Sequence, residues 1–417
     1  MTINRRKFIK NLGIASLGVA SSPSSIFANT QSSKHVVVIG GGFGGATAAK
    51  YLRLWSNGDI KVTLIDPLQQ HTSCVMSNLV LNEKQKLKNL RLYYETLKQK
   101  YGVEHLQDKV LDIDSYAQRI DLKNGESISY DKLIISTGIG FKKVPGHDFR
   151  KVPHAWIAGS QTRILKNQLA EMQSGGTFVM SIPKSPYRCP PGPYERACVV
   201  ADMLKRRGGG NVIVLDANED IQAERHTFSK AFNGIYGNII DYRTNVSIDE
   251  VDSNAREVYT SDGTFEADVL NIIPNQKANK LLKTAGLTDG DWAPVDPISY
   301  ESTIFSNVHV IGDAQATNQP KSAHMANSQA KVCADAIVRS LYNLSIYTFE
   351  RLENITTNSA CYSPITYNEA SWLTANFAYD GVSSMKLKHI GEAKEWSREN
   401  YKEMYAWANN LFFDSFY

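Results

Sequence analysis

The chain has 417 residues, enough for two or three domains. With 42% apolar and 21% charged residues it is composed like an ordinary globular protein, which excludes an intrinsically disordered chain. The formal charge of +4 comes from the leader: residues 1–28 carry Arg5, Arg6, Lys7 and Lys10 and no acid, so the remainder holds 42 basic against 42 acidic residues. A neutral body excludes a general electrostatic attraction to nucleic acid. Beyond the leader no stretch approaches the ~18 apolar residues of a membrane-spanning helix. The five cysteines, Cys74, Cys189, Cys198, Cys333 and Cys361, form no CxxC or CxxCH pair, which excludes zinc knuckles and covalent c-type haem on this chain. The nine histidines show no metal-ligand spacing, so no metal is expected.

In chain order, residues 1–28 read first as a twin-arginine export signal. Asn4-Arg5-Arg6-Lys7-Phe8-Ile9-Lys10 is followed by a mild apolar run from Leu12 to Ala20 and a small-residue cleavage site at Ala28. That route carries folded, cofactor-loaded proteins, so a periplasmic protein with a bound redox cofactor is expected, in a compartment where cysteines pair.

His35 to Ile39 reads as a buried parallel strand running straight into Gly40-Gly41-Gly42-Phe43-Gly44-Gly45 and a helix from Ala46 to Leu54. Gly40 makes the tight turn, Gly42 lets backbone approach a pyrophosphate, and Gly45 lets helix pack on strand, with the helix N-terminus facing the phosphate. The next strand, Lys61 to Ile65, ends in Asp66, 21 residues after Gly45, where a carboxylate grips a ribose. Tyr130 to Gly138, ending in Thr137 and Gly138, resembles the returning strand and turn of two-dinucleotide-domain flavoproteins. Asn307 to Ala314 resembles their second FAD motif, with Gly312 and the ribityl-binding Asp313. FAD is therefore the expected cofactor, and its domain is split between residues 34–145 and 267–345.

Residues 146–266 repeat the βαβ pattern: a strand from Thr177 to Ile182, a helix from Ala197 to Arg207, and a strand from Asn211 to Leu215. The loop that would carry a nicotinamide fingerprint reads Pro183-Lys184-Ser185-Pro186-Tyr187-Arg188-Cys189-Pro190-Pro191-Gly192-Pro193-Tyr194-Glu195-Arg196. Prolines lack the N–H that cradles phosphate, and Asp216 stands where a ribose-binding acid belongs with no loop to serve. The expected fold class is α/β: two Rossmann-like dinucleotide-binding domains, a glutathione-reductase-like FAD domain and a degenerate NAD-type domain, with a C-terminal flavin-capping and interface region over 346–417.

Over residues 34–417 the sequence resembles the flavoprotein subunit of flavocytochrome c sulfide dehydrogenase, a relative of sulfide:quinone oxidoreductase. The resemblance is sharpest in the glycine loop, in Arg188 to Ala197, and in Pro320-Lys321-Ser322 with Ala326-Asn327-Ser328-Gln329; Cys361-Tyr362-Ser363 keeps a further core. It implies that Cys74 carries FAD through a thioether, although His71, Ser73 and Val75 beside it depart from the family pattern. It also implies a redox-active disulfide between Cys189 and Cys361, 172 residues apart, a pairing that spacing alone does not give. Glu195 matches a proton acceptor for sulfide, and Lys321 a positive charge that stabilises reduced flavin. Each has a plainer reading: an inert buried thiol, a helix-start carboxylate and a surface lysine. Cys198 and Cys333 have no counterpart and read as small buried hydrophobes.

The activity implied is oxidation of sulfide to sulfur or polysulfide. Sulfide opens the disulfide to leave a persulfide on Cys189 and a flavin-facing thiolate on Cys361. With no haem motif here, the resemblance implies a separate c-type cytochrome subunit as electron acceptor. Glu395 to Tyr417 is aromatic but lacks a basic apolar face, so no membrane insertion is expected, and the segment packs on the FAD domain or a partner. Two other readings stand beside this one. The first is a sulfide:quinone-type enzyme working without a cytochrome. The second is a non-catalytic FAD-binding partner of a sulfur-oxidation system, against which the retention of Cys74, Cys189, Cys361 and Glu195 argues.

Overall fold

The computed structural model describes residues 34–417, and the export signal expected over 1–28 lies outside the described residues. The architecture is α/β, built around two parallel sheets. The first runs, in spatial order, Val308–Val310, Lys132–Ile135, His35–Ile39, Lys61–Ile65 and Glu104–Leu106, all parallel. Its central strand His35–Ile39 is almost wholly apolar because both faces are covered, while the edge strand Glu104–Leu106 is polar and partly exposed. Along His35–Ile39, Val36 and Val38 pack with Ala46, Leu52 and Ala334 on the helical side, while Val37 and Ile39 pack with Ile113 and Ile120 on the other. This is the two-residue alternation of a strand. The order reverses between His35–Ile39 and Lys132–Ile135, so a crevice opens at the carboxyl ends of those strands, the usual place for a ligand in such sheets.

The second sheet runs Ile240–Arg243, Asn211–Asp216, Thr177–Ile182 and Val269–Asn271, again all parallel. This corrects the domain boundary read from sequence. Val269–Asn271, assigned there to the FAD domain, belongs to the second sheet, where it covers the open edge of Thr177–Ile182. Asn271 is fully buried there, its Nδ2 donating to Pro153 O and its Oδ1 accepting from Arg196 Nη1. The antiparallel pair Ile139–Phe141 and Gln276–Ala278 joins the two halves. The helix of this domain starts at Gly192 rather than Ala197, because Pro193 falls in the first turn, where no intrahelical N–H is missed.

The C-terminal region is an antiparallel sheet of Thr356–Thr366, Glu369–Tyr379 and Met385–Glu392, followed by the helix Arg398–Phe416. That helix buries Met404, Leu411, Phe412 and Phe416 in the same core as Ala46 and Leu52. Phe416 meets Phe43 edge to face with ring centroids 5.5 Å apart. Lys50 Nζ donates to the carbonyls of Phe413 and Asp414, and Tyr101 OH donates to Tyr417 O at 2.8 Å. No helix among the described residues is long and apolar enough to cross a membrane.

Candidate active site

Two cavities meet inside the chain. The larger, about 620 Å³, lies at the carboxyl ends of the first sheet and is lined by Gly40, Gly42, Asp66, Thr137, Gly138, Gly312 and Asp313. The smaller, about 70 Å³, is lined by Cys189, Cys361, Glu195, Trp156 and Trp407. Cys74 and Arg188 line both.

The glycine loop is shaped by close approaches. Gly40 has φ +97°, and a Cβ there would lie 2.6 Å from Ser136 O; a Cβ on Gly45 would overlap the Gly40 carbonyl. Gly42 faces open space, with His71 Cε1 at 3.7 Å from a built Cβ. Gly41, which the sequence pattern leaves without a role, is equally constrained, because a Cβ would overlap the Tyr94 hydroxyl. That hydroxyl donates to Gly41 O at 3.0 Å. Asp66 Oδ2 accepts from Gly41 N at 2.8 Å and Oδ1 from Leu68 N at 2.9 Å, so the carboxylate also holds the loop in place.

The cleft fits a dinucleotide on structural grounds. Three polar atoms of its lining are buried with no hydrogen-bond partner in the protein: His71 Nε2, Thr137 Oγ1 and Asp313 Oδ1. Buried polar groups are rarely left so, and a ligand with ribose, phosphate and ribityl oxygens supplies the missing partners. Asp313 is flanked by Arg188 Nη1 at 3.9 Å. Lys321 is buried rather than on the surface, and its charge acts on Asp313. Its Nζ donates to Gln315 O at 2.6 Å and sits 3.8 Å from the Trp292 ring centroid, and its side chain lines neither cavity. A buried ammonium is drawn to a carbonyl and an aromatic face, and burial lowers its pKa to about 8. Its carbonyl accepts from Cys189 N at 2.7 Å, so its backbone tethers the cysteine loop.

In the smaller cavity Cys189 has a left-handed backbone, φ 58°, and Met76 and Ala155 of the same wall are also left-handed, at 69° and 45°. Such non-glycine outliers are costly and collect at functional sites. Gly192 makes room for the sulfur: a Cβ there would lie 2.8 Å from Cys189 Sγ. All five cysteines are unbonded thiols, so the Cys189–Cys361 disulfide implied by the resemblance is not formed in this structure. Burial, then the charges of Cys361 and Glu195, push the Cys189 thiol well up, with Arg188 opposing; burial pushes Cys361 to about 12. Burial likewise raises Glu195 to about 8, against the hydrogen bond its Oε1 accepts from Asn78 Nδ2 at 3.1 Å. Cys198 and Cys333 are fully buried and line neither cavity.

Three contributors were not singled out from sequence. Arg188 sits between the cavities, its Nη2 donating to Trp156 O. Arg196 is buried, its guanidinium shared among Asn78 Oδ1, His154 O, Ala155 O and Asn271 Oδ1. Glu224 is a second buried acid. Arg188 and Arg196 flank Cys189 and Glu195 in the quoted motif, which was a usable signal; Glu224 carries none. Asp216 has no exposed surface: Tyr194 and Tyr242 hydroxyls both donate to its Oδ2 at 2.8 Å, and Asn218 donates twice to Oδ1. The would-be ribose site of the second domain is filled from within. Among the described residues no cluster of His, Cys, Asp or Glu is placed to hold a metal.

Comparisons with known proteins agree with this geometry. Residues 162–274 match the family described as sulfide dehydrogenase (flavocytochrome c) flavoprotein chain, central, and residues 34–169 match pyridine nucleotide-disulphide oxidoreductase. The mitochondrial sulfide:quinone oxidoreductase of Dictyostelium discoideum is 21% identical over 374 residues, 82% of this chain and 77% of that one. The sulfide dehydrogenase (flavocytochrome c) flavoprotein chain of Chlorobaculum thiosulfatiphilum is 53% identical over 47 residues, 11% of this chain and 96% of that sequence. The solved sulfide:quinone oxidoreductase of Aquifex aeolicus superposes with a TM-score of 0.74 at 19% identity, covering 92% of this chain and 91% of that one. Fold and cleft together define a flavin-dependent oxidoreductase with two dinucleotide-type domains, and its cofactor is FAD. The chain belongs to the superfamily of sulfide-oxidising flavoproteins that holds the sulfide:quinone oxidoreductases and the flavocytochrome c sulfide dehydrogenase flavoprotein chains.

Proposed function

We propose that the chain is the flavoprotein subunit of a sulfide dehydrogenase of the flavocytochrome c kind. In this reading it is exported by its twin-arginine leader and passes electrons from sulfide to a c-type cytochrome on another chain. One observation carries the reading: Cys189, Cys361 and Glu195 line a small cavity that meets the dinucleotide cleft at Cys74. The family match over 162–274 includes the cysteine loop and supports the choice. FAD in the cleft, joined to Cys74 by a thioether, supplies a two-electron acceptor.

The chain's own residues do the rest. At rest Cys189 and Cys361 are joined as a disulfide; hydrosulfide attacks Cys189, leaving a persulfide there and a thiolate on Cys361. The left-handed turn at Cys189 and the bare Gly192 set the Cys189 sulfur in the cavity wall. Burial raises the Glu195 carboxyl, so its ionised form is a stronger base than an ordinary carboxylate and is suited to take the proton of incoming sulfide. Arg188 balances negative charge developing on both sides of it. A cavity of about 70 Å³ has room for sulfide.

The test is anaerobic addition of sulfide while flavin absorbance is followed. Bleaching by wild type, and none by FAD-loaded Cys189→Ser or Cys361→Ser, is expected; a serine variant with full activity overturns the mechanism. A second reading, a sulfide:quinone-type enzyme, is favoured by the relatives that match most of the chain. Turnover with a soluble quinone analogue but not with cytochrome c would select it.

A further inference from the structure

Behind Cys361 stands a buried carboxyl with no part in the scheme above. Glu224 precedes the short helix Arg225–Lys230, has φ 51° and is 2% exposed. Its Oε2 accepts from the Ser363 hydroxyl at 2.5 Å, and its Oε1 is buried without a partner among the described residues. Ser363 lies two residues beyond Cys361 on the strand Thr356–Thr366, so both side chains leave the same face of the sheet. Ser371, paired across the strands with Ser363, meets Thr227 at 3.3 Å. From the facing helix Gly192–Arg206 come Glu195 and Cys198, one turn apart, and from the strand Met385–Glu392 the like charge of Glu392. Among the groups that act on Glu224 there is no cation. Burial raises its carboxyl to about 7, and its charge in turn raises Cys361.

We propose that Glu224 is a positioning residue for Cys361, and that with Glu195 it forms a two-carboxyl proton store which takes up the proton freed when sulfide opens the disulfide. The inference rests on the sulfide reading. In the step, one molecule of hydrogen sulfide and the Cys189–Cys361 disulfide give a protonated persulfide on Cys189, a thiolate on Cys361 and one free proton. One S–S bond breaks and another forms, the sulfide sulfur is oxidised, the disulfide is reduced, and the proton needs a base inside a small cavity. A proton taken by Glu224 also removes the like charge that would repel the new thiolate, so uptake and thiolate formation support each other.

Glu224→Gln keeps the shape and the bond from Ser363 and removes the titration. The first readout is the rate of sulfide-driven flavin bleaching between about pH 6 and 9. The second needs no sulfide: the rate at which iodoacetamide alkylates Cys361 in the reduced holoprotein, followed by peptide mass over the same range. In Glu224→Gln the lower inflection of the bleaching profile is expected to vanish, and Cys361 alkylation to run about tenfold faster at the alkaline end of the range. Ser363→Ala, which keeps the acid but strips the hydrogen bond to its Oε2, is expected to move the inflection to higher pH. Glu224→Gln profiles that coincide with wild type overturn the proton store. Wild-type protein that sulfide does not bleach overturns the sulfide reading instead, and the alkylation profile still decides whether Glu224 governs Cys361.

Discussion

Cys74 lies on the wall shared by the two cavities, and the simplest measurement on the protein follows from that. Denaturing mass spectrometry of wild type is expected to show an FAD adduct on the peptide holding Cys74, and Cys74→Ser to release its flavin on unfolding. Glu195 gives a second prediction, in stability. Its pKa is raised by burial from 4.5 to about 8, so its contribution is full below 4.5 and is lost as pH rises through about 8, where the folded protein must ionise it. Glu195→Gln is therefore expected to flatten the fall of Tm between about pH 5 and 8, an effect of order a few kcal/mol at the alkaline end. Gly40, Gly42, Gly45 and Asp66 were legible in sequence because each answers to local backbone geometry. Gly41 and Glu224 were not, because their roles come from partners more than 25 residues away: Tyr94 above Gly41 and Ser363 on Glu224. Lys321 was legible as a motif, but only the fold supplies the Gln315 carbonyl and the Trp292 ring that hold it.

Among the elements, the central parallel strands could be read directly because burial on both faces leaves almost wholly apolar runs such as His35–Ile39. The strand Val269–Asn271 could not be assigned to its sheet, since three apolar or amide residues carry no register of their own. The C-terminal three-stranded sheet was missed altogether: Thr356–Thr366 and Glu369–Tyr379 mix serines, threonines and alanines with aromatics and show no clean alternation. The helix Arg398–Phe416, expected to pack on the FAD domain or a partner, packs on the FAD domain: Phe412 and Phe416 turn inward while Phe413 stays exposed. Phe416, with no exposed surface, packs on Phe43 of the glycine-loop helix and stacks on His71 of the cleft. Phe416→Ala is expected to cost about 3 kcal/mol in chemical unfolding. It should also loosen the cleft, seen as faster loss of flavin wherever flavin is not covalently held, for example in the Cys74→Ser background. Asp216 in the second sheet makes a sharper element-scale prediction. With four donors closed around it and prolines in the loop above, NADH and NADPH are expected neither to bleach the flavin nor to protect the domain from proteolysis; bleaching by either would refute the degenerate assignment.

For the whole molecule, the deciding property is which oxidant accepts the electrons. Steady-state turnover with sulfide is expected to run with c-type cytochrome, whereas a quinone-linked enzyme would be insensitive to that partner. The sealed Asp216 pocket bears on the direction of flow as well. A flavin in a two-dinucleotide enzyme with an intact nicotinamide site has a second source of electrons. Tyr194 and Tyr242 close that branch with two hydroxyl groups. In the proposed reading, what remains is a circuit with one inlet at the cysteines and one outlet beyond the flavin.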